Sequence, residues 1–528
     1  MSSSHSSIRI VAFSTILSRL TGLLRDMLVY AVFGTSAINS AFIIAFTVPN
    51  LFRRFMGEGA LTSALVPVLA HEQTKNGKQD AFNLFNKVWS RAAIALVVVI
   101  VLGIAAFQLV WFFKLEARWT LAARLGLWVF PYLFFICLSA LIGAVLNLQK
   151  KFAATALAQI WVNLTMALML GGIGIWVTHD EFARMLWVCG GVLLGGLLQL
   201  LLPGYALTRE GWRPKFDLGK DERLNEVWRL LGPGLIGATV AQVNTVISQF
   251  LAFGLNDSAV SVLFLANRLM QLPLGVFAIA VTTVTFPIIA RKAAEGDRAG
   301  FAASYREGST LIQAIMIPAG VGLALLAQPI LVAVFKWGAF NEASVRATAP
   351  ILAVYALAIP FYAACTFTTR ALHSLKDTTT PVRWGAATLL INLTLSLVLK
   401  EVGRPYDLGT LGLALANAIS TAVFAWGLNW ELKKKGAEIR RVADGSTSAQ
   451  VFNPGSKGLE KTPKIKIISS AALMAVVIVP LVLAMPPSKL GRILAIVIGA
   501  PTGLAIYAAS LFFTSRETFA GLKKLALK

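Results

Sequence analysis

Only three cysteines occur in the 528 residues, at positions 137, 189 and 365, and each sits inside an apolar run. A disulfide framework or a cysteine-based zinc site therefore has no support in this chain. Histidine is almost as scarce. His5, His71, His179 and His373 are scattered, and no acidic cluster of the DDxxD kind occurs. Metal-assisted or general-base chemistry on phosphoryl or glycosyl groups calls for such clusters, so a membrane-embedded phosphatase or glycosyltransferase is a poor reading. Charge itself is sparse, at 14% of residues, and acid is scarcer than base, with 25 Asp and Glu against 48 Lys and Arg. Apart from the 434–463 stretch the connections are short, and none is long enough to house separate soluble chemistry.

What remains is apolar. Hydrophobic residues make up 57% of the chain, and runs such as Ala92–Phe113, Ile467–Met485 and Ile493–Phe513 approach the roughly 20 residues needed to cross a bilayer. Hydropathy windows give about fourteen spans. Span 4 covers 120–147 and span 9 covers 307–335, each as a single helix. The expected fold is an all-α polytopic membrane protein. It divides into an N-terminal bundle (1–208, spans 1–6), a loop (209–226), a C-terminal bundle (227–433, spans 7–12), a linker (434–463) and a tail with spans 13–14 (464–528). The opening MSSSHSSIRI lacks the pattern of a cleavable signal peptide.

The net charge of +23 raises nucleic acid as a partner, but its distribution argues for a membrane instead. Lys and Arg gather in alternate loops, around Lys75–Arg91, Lys150–Lys151, Arg209–Arg229, Arg291–Arg306 and Lys433–Lys466. The positive-inside rule makes that side cytoplasmic and places both termini there.

An internal repeat organises the spans. Displacing residues 33–70 by 220 positions onto 253–290 matches Phe33/Phe253, Gly34/Gly254, Ala60/Ala280, Thr62/Thr282, Pro67/Pro287 and Ala70/Ala290 without a gap. An even number of crossings separates the copies, so the repeat predicts two six-helix bundles of like orientation plus two extra C-terminal helices. In such transporters the repeat interface carries the substrate.

Charges inside the spans are the strongest functional signal. Each Arg at the bilayer centre costs about 2.5–3.5 kcal/mol, so Arg19, Arg25, Arg53 and Arg268 must line something wet or charged. Arg370 lies near a helix end and reads as snorkelling to the interface. In PNLFRRFMGEGA (49–60), Arg54 and Glu58 are four apart and can pair, whereas Arg53 sits about 100° round the helix on a stripe with Gly57 and Ala60. In span 1, Arg19 and Asp26 share a face, as do Ser18 and Arg25, with Gly22 between. In span 8, Ser261, Arg268, Gly275 and Thr282 recur every seven residues. Arginines from spans 1, 2 and 8 are thus expected to converge, with only Asp26 and Glu58 to neutralise them. A multiply charged phosphoryl group suits such a cluster, because Arg forks bind phosphate oxygens bidentately.

The runs SRLTGLLRD (18–26), FG (33–34), PNLFRRFMGEGA (49–60), VPVLA (66–70), ANRLMQLPLGVFAIAV (266–281) and LKDTTTPV (375–382) resemble the lipid II flippase family MurJ (MviN), of the multidrug/oligosaccharidyl-lipid/polysaccharide exporter superfamily. The resemblance implies transfer of undecaprenyl-pyrophosphate-linked peptidoglycan precursor to the outer leaflet of the bacterial inner membrane by alternating access, without a cofactor. It implies cavity roles for Ser18, Arg19, Arg25, Arg53, Glu58 and Arg268, and a groove for the polyprenyl tail formed by spans 13 and 14. This chain departs from the family pattern at Ser40, Asn267 and Gln271. Spans 7 and 11 carry no carboxylate in their apolar parts and offer an ion only Asn244 and Asn392. Coupling to membrane potential, Na+ or H+ stays open. Alternative readings are an exporter of another polyprenyl-linked saccharide or of an amphipathic drug. The linker is the segment open to cell-wall synthesis proteins.

Overall fold

The structure is a computed structural model that describes residues 2–57, 60–113, 116–227, 229, 246–403, 408–444 and 463–526. Every regular element among them is helical. Ten of these helices are long and apolar enough to span a membrane, and an eleventh span is made by a bent pair. The helices used below are α1 (Ser2–Phe33), α2 (Ala37–Gly57), α3 (Ala60–Lys75), α4 (Lys78–Phe112), α5 (Ala117–Val129), α6 (Tyr132–Leu148) and α7 (Phe152–Leu168). The chain divides into two compact units, Met1–Ser261 with Trp337–Asn341, and Val262–Lys336 with Glu342–Lys528.

Two expected single helices are broken. Residues 120–147 form α5 and α6, bent by 48°, because Pro131 at the junction has no N–H to continue the hydrogen-bond ladder. Residues 307–335 divide into Arg298–Leu325 and Ala327–Phe335.

In the first unit, small residues let helices approach closely. A Cβ added at Gly191 would lie 2.7 Å from Met166 Cα, and one at Gly195 would lie 2.6 Å from Val162 Cα. The Glu181–Arg209 helix therefore packs backbone to backbone on α7, the mode that replaces hydrophobic driving force inside lipid. The Thr165 hydroxyl fastens the contact by donating to Gly191 O at 2.7 Å. With that side of α7 committed, Asn163 on another face meets α1.

The segment Trp337–Asn341 is built into this same unit. Ala339 N donates to Ala31 O at 2.7 Å, and fully buried Phe340 meets Tyr30 edge-on. Gly338 adopts φ +52°, and a Cβ there would fall 2.2 Å from Ala31 O, so no other residue fits. Tyr30 in turn donates to Ser261 O at 2.6 Å.

Residues 210–223 dock on α3 and α4 through polar contacts. Asn86 accepts from Trp212 Nε1 at 2.8 Å and donates to Arg213 O at 3.0 Å, while Lys87 reaches Asp221 at 2.9 Å. Arg223 bonds both Asp221 and buried Glu72. The Arg223 guanidinium and the Lys87 ammonium hold the Asp221 carboxyl well below the usual carboxylate range.

The second unit is organised around Arg298–Leu325. Pro463–Ala484 and Lys489–Thr514 pack on it through Ala314, Ile467, Ala471, Met474, Ile478 and Tyr507, and Tyr507 donates to Ala314 O at 2.6 Å. The two helices keep large apolar side chains such as Val476, Leu483, Val497 and Leu504 outward.

The same turn geometries recur in the two units. Gly77 and Gly296, close to the 220-residue displacement, both turn with positive φ. Lys150 and Lys376 both adopt φ 60° and each closes a helix end, with Lys151 N donating to Leu146 O at 2.8 Å and Asp377 N to Leu372 O at 3.0 Å. These are the six-to-one bonds of a left-handed C-cap.

Candidate functional site

The first unit holds an arginine in the middle of a polar stripe on α1. Leu20 and Leu24 project outward, whereas Gly22, Asp26 and Val29 are buried. Helical geometry thus turns Ser18, Thr21, Gly22 and Arg25 toward α7, where Asn163 waits. The Arg25 side chain is only 11% exposed and that of Asp26 only 5%. Arg25 Nε donates to Asp26 Oδ1 at 3.0 Å, and a terminal nitrogen reaches the same oxygen at 2.5 Å. The other terminal nitrogen donates to Asn163 Oδ1 at 3.0 Å and faces Met166 Sδ at 4.0 Å.

Asn163 is the hub of this site. Its amide nitrogen donates to Ser18 O at 3.2 Å and approaches Thr21 Oγ1 at 3.4 Å. Thr21 in turn donates to Leu17 O at 2.9 Å. One amide therefore joins Ser18, Thr21 and Arg25 to α7. Asn163 did not emerge from the charge pattern, although a lone Asn in the apolar FAATALAQIWVNLTMAL helix is itself an interhelical glue signal. A π turn, Met169–Gly174, follows Met166 within the same span, and such turns often mark functional positions.

The arrangement does two things chemically. Burying a guanidinium without a partner would cost several kcal/mol, and the adjacent carboxylate offsets this. The fork is not exhausted either. Arg has five N–H donors, and three oxygen contacts are made here, so a phosphoryl oxygen can bind by taking over from Asn163 or by using the remaining donors. Arg19, six residues earlier, is half-buried on the same helix.

The other predicted site residues fall elsewhere. Arg268 is half-buried in the second unit on the Ala259–Pro273 helix, which continues into a second π turn, Leu274–Ala278. Asn392 is buried there on the Thr379–Gly403 helix, with Ser420 Oγ at 3.4 Å. The side chains of Arg53 and Arg54, and all of Glu58 and Asn244, lie outside the described residues. Among the described residues no group of His, Cys, Asp and Glu is arranged to hold a metal ion.

The family profile described as lipid II flippase MurJ matches residues 29–487. A protein of Vibrio cholerae serotype O1 named "Probable lipid II flippase MurJ" is 30% identical over 448 residues, covering 82% of each chain. A protein of Burkholderia cenocepacia named "Lipid II flippase MurJ" is 28% identical, over 80% of this chain and 82% of its own. Among solved structures, one described as lipid II flippase MurJ in an inward-closed conformation is similar with a TM-score of 0.77 at 24% identity, covering 95% of this chain and 98% of its own. An inward-facing multidrug MATE transporter is similar with a TM-score of 0.63 at 15% identity, covering 84% of this chain and all of its own. On the match across residues 29–487, the chain belongs to the lipid II flippase MurJ family.

Proposed function

We propose that this protein is a transporter that carries lipid II, the undecaprenyl-pyrophosphate-linked precursor of peptidoglycan, from the cytoplasmic to the outer leaflet of the bacterial inner membrane. The observation that carries the reading is the buried Arg25–Asp26–Asn163 cluster on α1 and α7, in a chain of this family. A guanidinium held inside a span by one carboxylate and one neutral amide is stable when empty, and it can exchange the amide for a pyrophosphate oxygen. Arg19, Arg53 and Arg268, which the charge pattern of the spans singles out, are the further cations offered to a diphosphate, and Ser18 is offered as a hydroxyl. Arg54 and Glu58, four apart in sequence, are assigned as a pair by that spacing alone. Both termini face the cytoplasm, following the loop charge.

The chain acts by alternating access between the two halves of the repeat. Membrane potential, Na+ or H+ drives the cycle, with Asn244 and Asn392 as the polar groups offered to a cation. The groove of Pro463–Ala484 and Lys489–Thr514 takes the tail. Complementation of a bacterial strain depleted of its lipid II flippase tests the reading. The wild-type chain restores growth and cell shape, and failure of a well-expressed, membrane-inserted chain to do so would overturn it. Binding of purified protein to lipid II against other polyprenyl-linked saccharides separates this substrate from the alternatives.

A further inference from the structure

Phe216 and Leu218 are exposed, at 62% and 48%, in the otherwise polar stretch RPKFDLGKDER (213–223). The backbone that carries them is pinned to α4. It starts at Asn86, which donates to Arg213 O, and runs along the helix to Ser90, whose hydroxyl accepts from Asp217 N at 2.9 Å. It reaches furthest at Arg91, which donates to Leu218 O at 2.8 Å and to Gly219 O at 2.9 Å. It then turns back to Lys87, which pairs with Asp221. Gly219 N closes the tip by donating to Asp217 Oδ1 at 2.7 Å.

The place of that tip on α4 decides what surrounds it. The helix has 35 residues, about 52 Å at 1.5 Å per residue, against a hydrocarbon layer of about 30 Å. Its apolar run begins at Ala92, so Arg91 marks the hydrocarbon edge and the Lys78–Ser90 turns lie outside it. Ile94, Val98 and Val101 continue the face of Arg91 at helical spacing, and all three are exposed. The segment is therefore held on a lipid-facing side of α4, with its tip level with the head groups. We propose that residues 213–220 form an interfacial finger. Phe216 and Leu218 enter the boundary between head groups and acyl chains at the Lys78 end of α4, and Arg213, Lys215 and Lys220 meet the phosphates of anionic lipids. All three cations are exposed, and apolar side chains flanked by cations are the composition that binds such a surface. Asp217 and Asp221 oppose this little, because the first bonds Gly219 N and the second pairs with Lys87 and Arg223. The inference needs only that α4 spans a membrane, and it does not depend on which lipid the chain transports.

Phe216→Cys, Leu218→Cys and, as an aqueous reference on the returning limb, Glu222→Cys test it in the full-length protein. Glu222 is exposed, and the native cysteines are all buried. Each variant is labelled with an environment-sensitive fluorophore in nanodiscs of phosphatidylethanolamine, with or without phosphatidylglycerol. Quenching by a lipid with a nitroxide just below its head group is then read. Positions 216 and 218 are expected to be quenched at least about twofold more strongly than 222, and more strongly with phosphatidylglycerol than without it. K215Q/K220Q in the L218C background removes the gain from the anionic lipid. Quenching at 216 and 218 no stronger than at 222 would overturn the finger and leave the pair as a surface for a soluble protein. A gain from phosphatidylglycerol that survives K215Q/K220Q would overturn the role of the cations. Failure of the purified chain to move lipid II would sink the transport reading and leave the quenching result standing.

Discussion

Replacing Asn163 by Leu keeps the branched shape and heavy-atom count of Asn but removes the acceptor for Arg25 and the donor for Ser18 O. Ser18 O retains the Thr21 hydroxyl at 3.1 Å, and Arg25 retains Asp26, so the cost falls mainly on the Arg25–Asn163 bond. Interhelical hydrogen bonds inside membranes average about 0.6 kcal/mol and reach about 1.7. A charged donor raises the ordinary value to about 1.5–3 kcal/mol. The two ranges meet at about 1.5 kcal/mol, which sets an expected coupling of about 1–2 kcal/mol.

A double-mutant cycle isolates that coupling: wild type, N163L, R25Q and the double variant. Equilibrium unfolding in a denaturing detergent, followed with a thiol-reactive dye, suits this protein because Cys137, Cys189 and Cys365 are all buried. N163L is expected to cost about 1–2 kcal/mol less in the R25Q background than alone. Additivity within about 0.5 kcal/mol would refute the claim that Asn163 holds the guanidinium.

Two further outcomes follow from the structure. G338A is expected to destabilise the first unit more than G77A, because both glycines have positive φ but only Gly338 has backbone within 4 Å of an added Cβ; equal losses of melting temperature would contradict the fit of Trp337–Asn341 against α1. The carboxyl of Asp221 is depressed first by Arg223. At Asp377 burial pushes upward, and hydrogen bonds from Lys435 and Thr380 outweigh it. A depressed carboxylate contributes its stability above the unfolded value near about 3.9 and loses it as pH falls through the folded value. Limited proteolysis of the 210–223 segment is therefore expected to be unchanged from pH 8 to pH 5 and to accelerate only below about pH 4; release at pH 6 would contradict the pairing.

Much of the fold is legible because its determinants are local. Apolar runs of span length follow from short-range rules, and they find their counterparts in the helices. The breaks were less legible. Pro131 is visible in sequence, yet so are Pro49 and Pro203, which sit within continuous helices. What separates them is tertiary packing, not the residue itself. The two π turns have no comparable local mark.

The α1 cluster shows the same division. Periodicity brings Ser18 and Arg25 to one face, and both meet Asn163 in the structure. It places Asp26 on the face of Arg19 at seven residues' distance, and it gives no hint of the bond Asp26 makes to Arg25, its neighbour in sequence. Adjacent residues diverge by about 100° on a helix, so side-chain stacking does not anticipate this bond; the length and flexibility of Arg supply it. Asn163 lies 138 residues from Arg25, and only the close packing at Gly191 and Gly195 brings its helix there.

The central claim is that buried arginine charge carries a pyrophosphate-linked lipid across the membrane. Purified protein in proteoliposomes containing lipid II, with translocation read by access of the head group to an external probe, tests this claim most directly. The account predicts robust transfer by the wild-type chain and at least tenfold slower transfer by R25Q and by R268Q at equal incorporation. Wild-type rates in both charge-removing variants would contradict it.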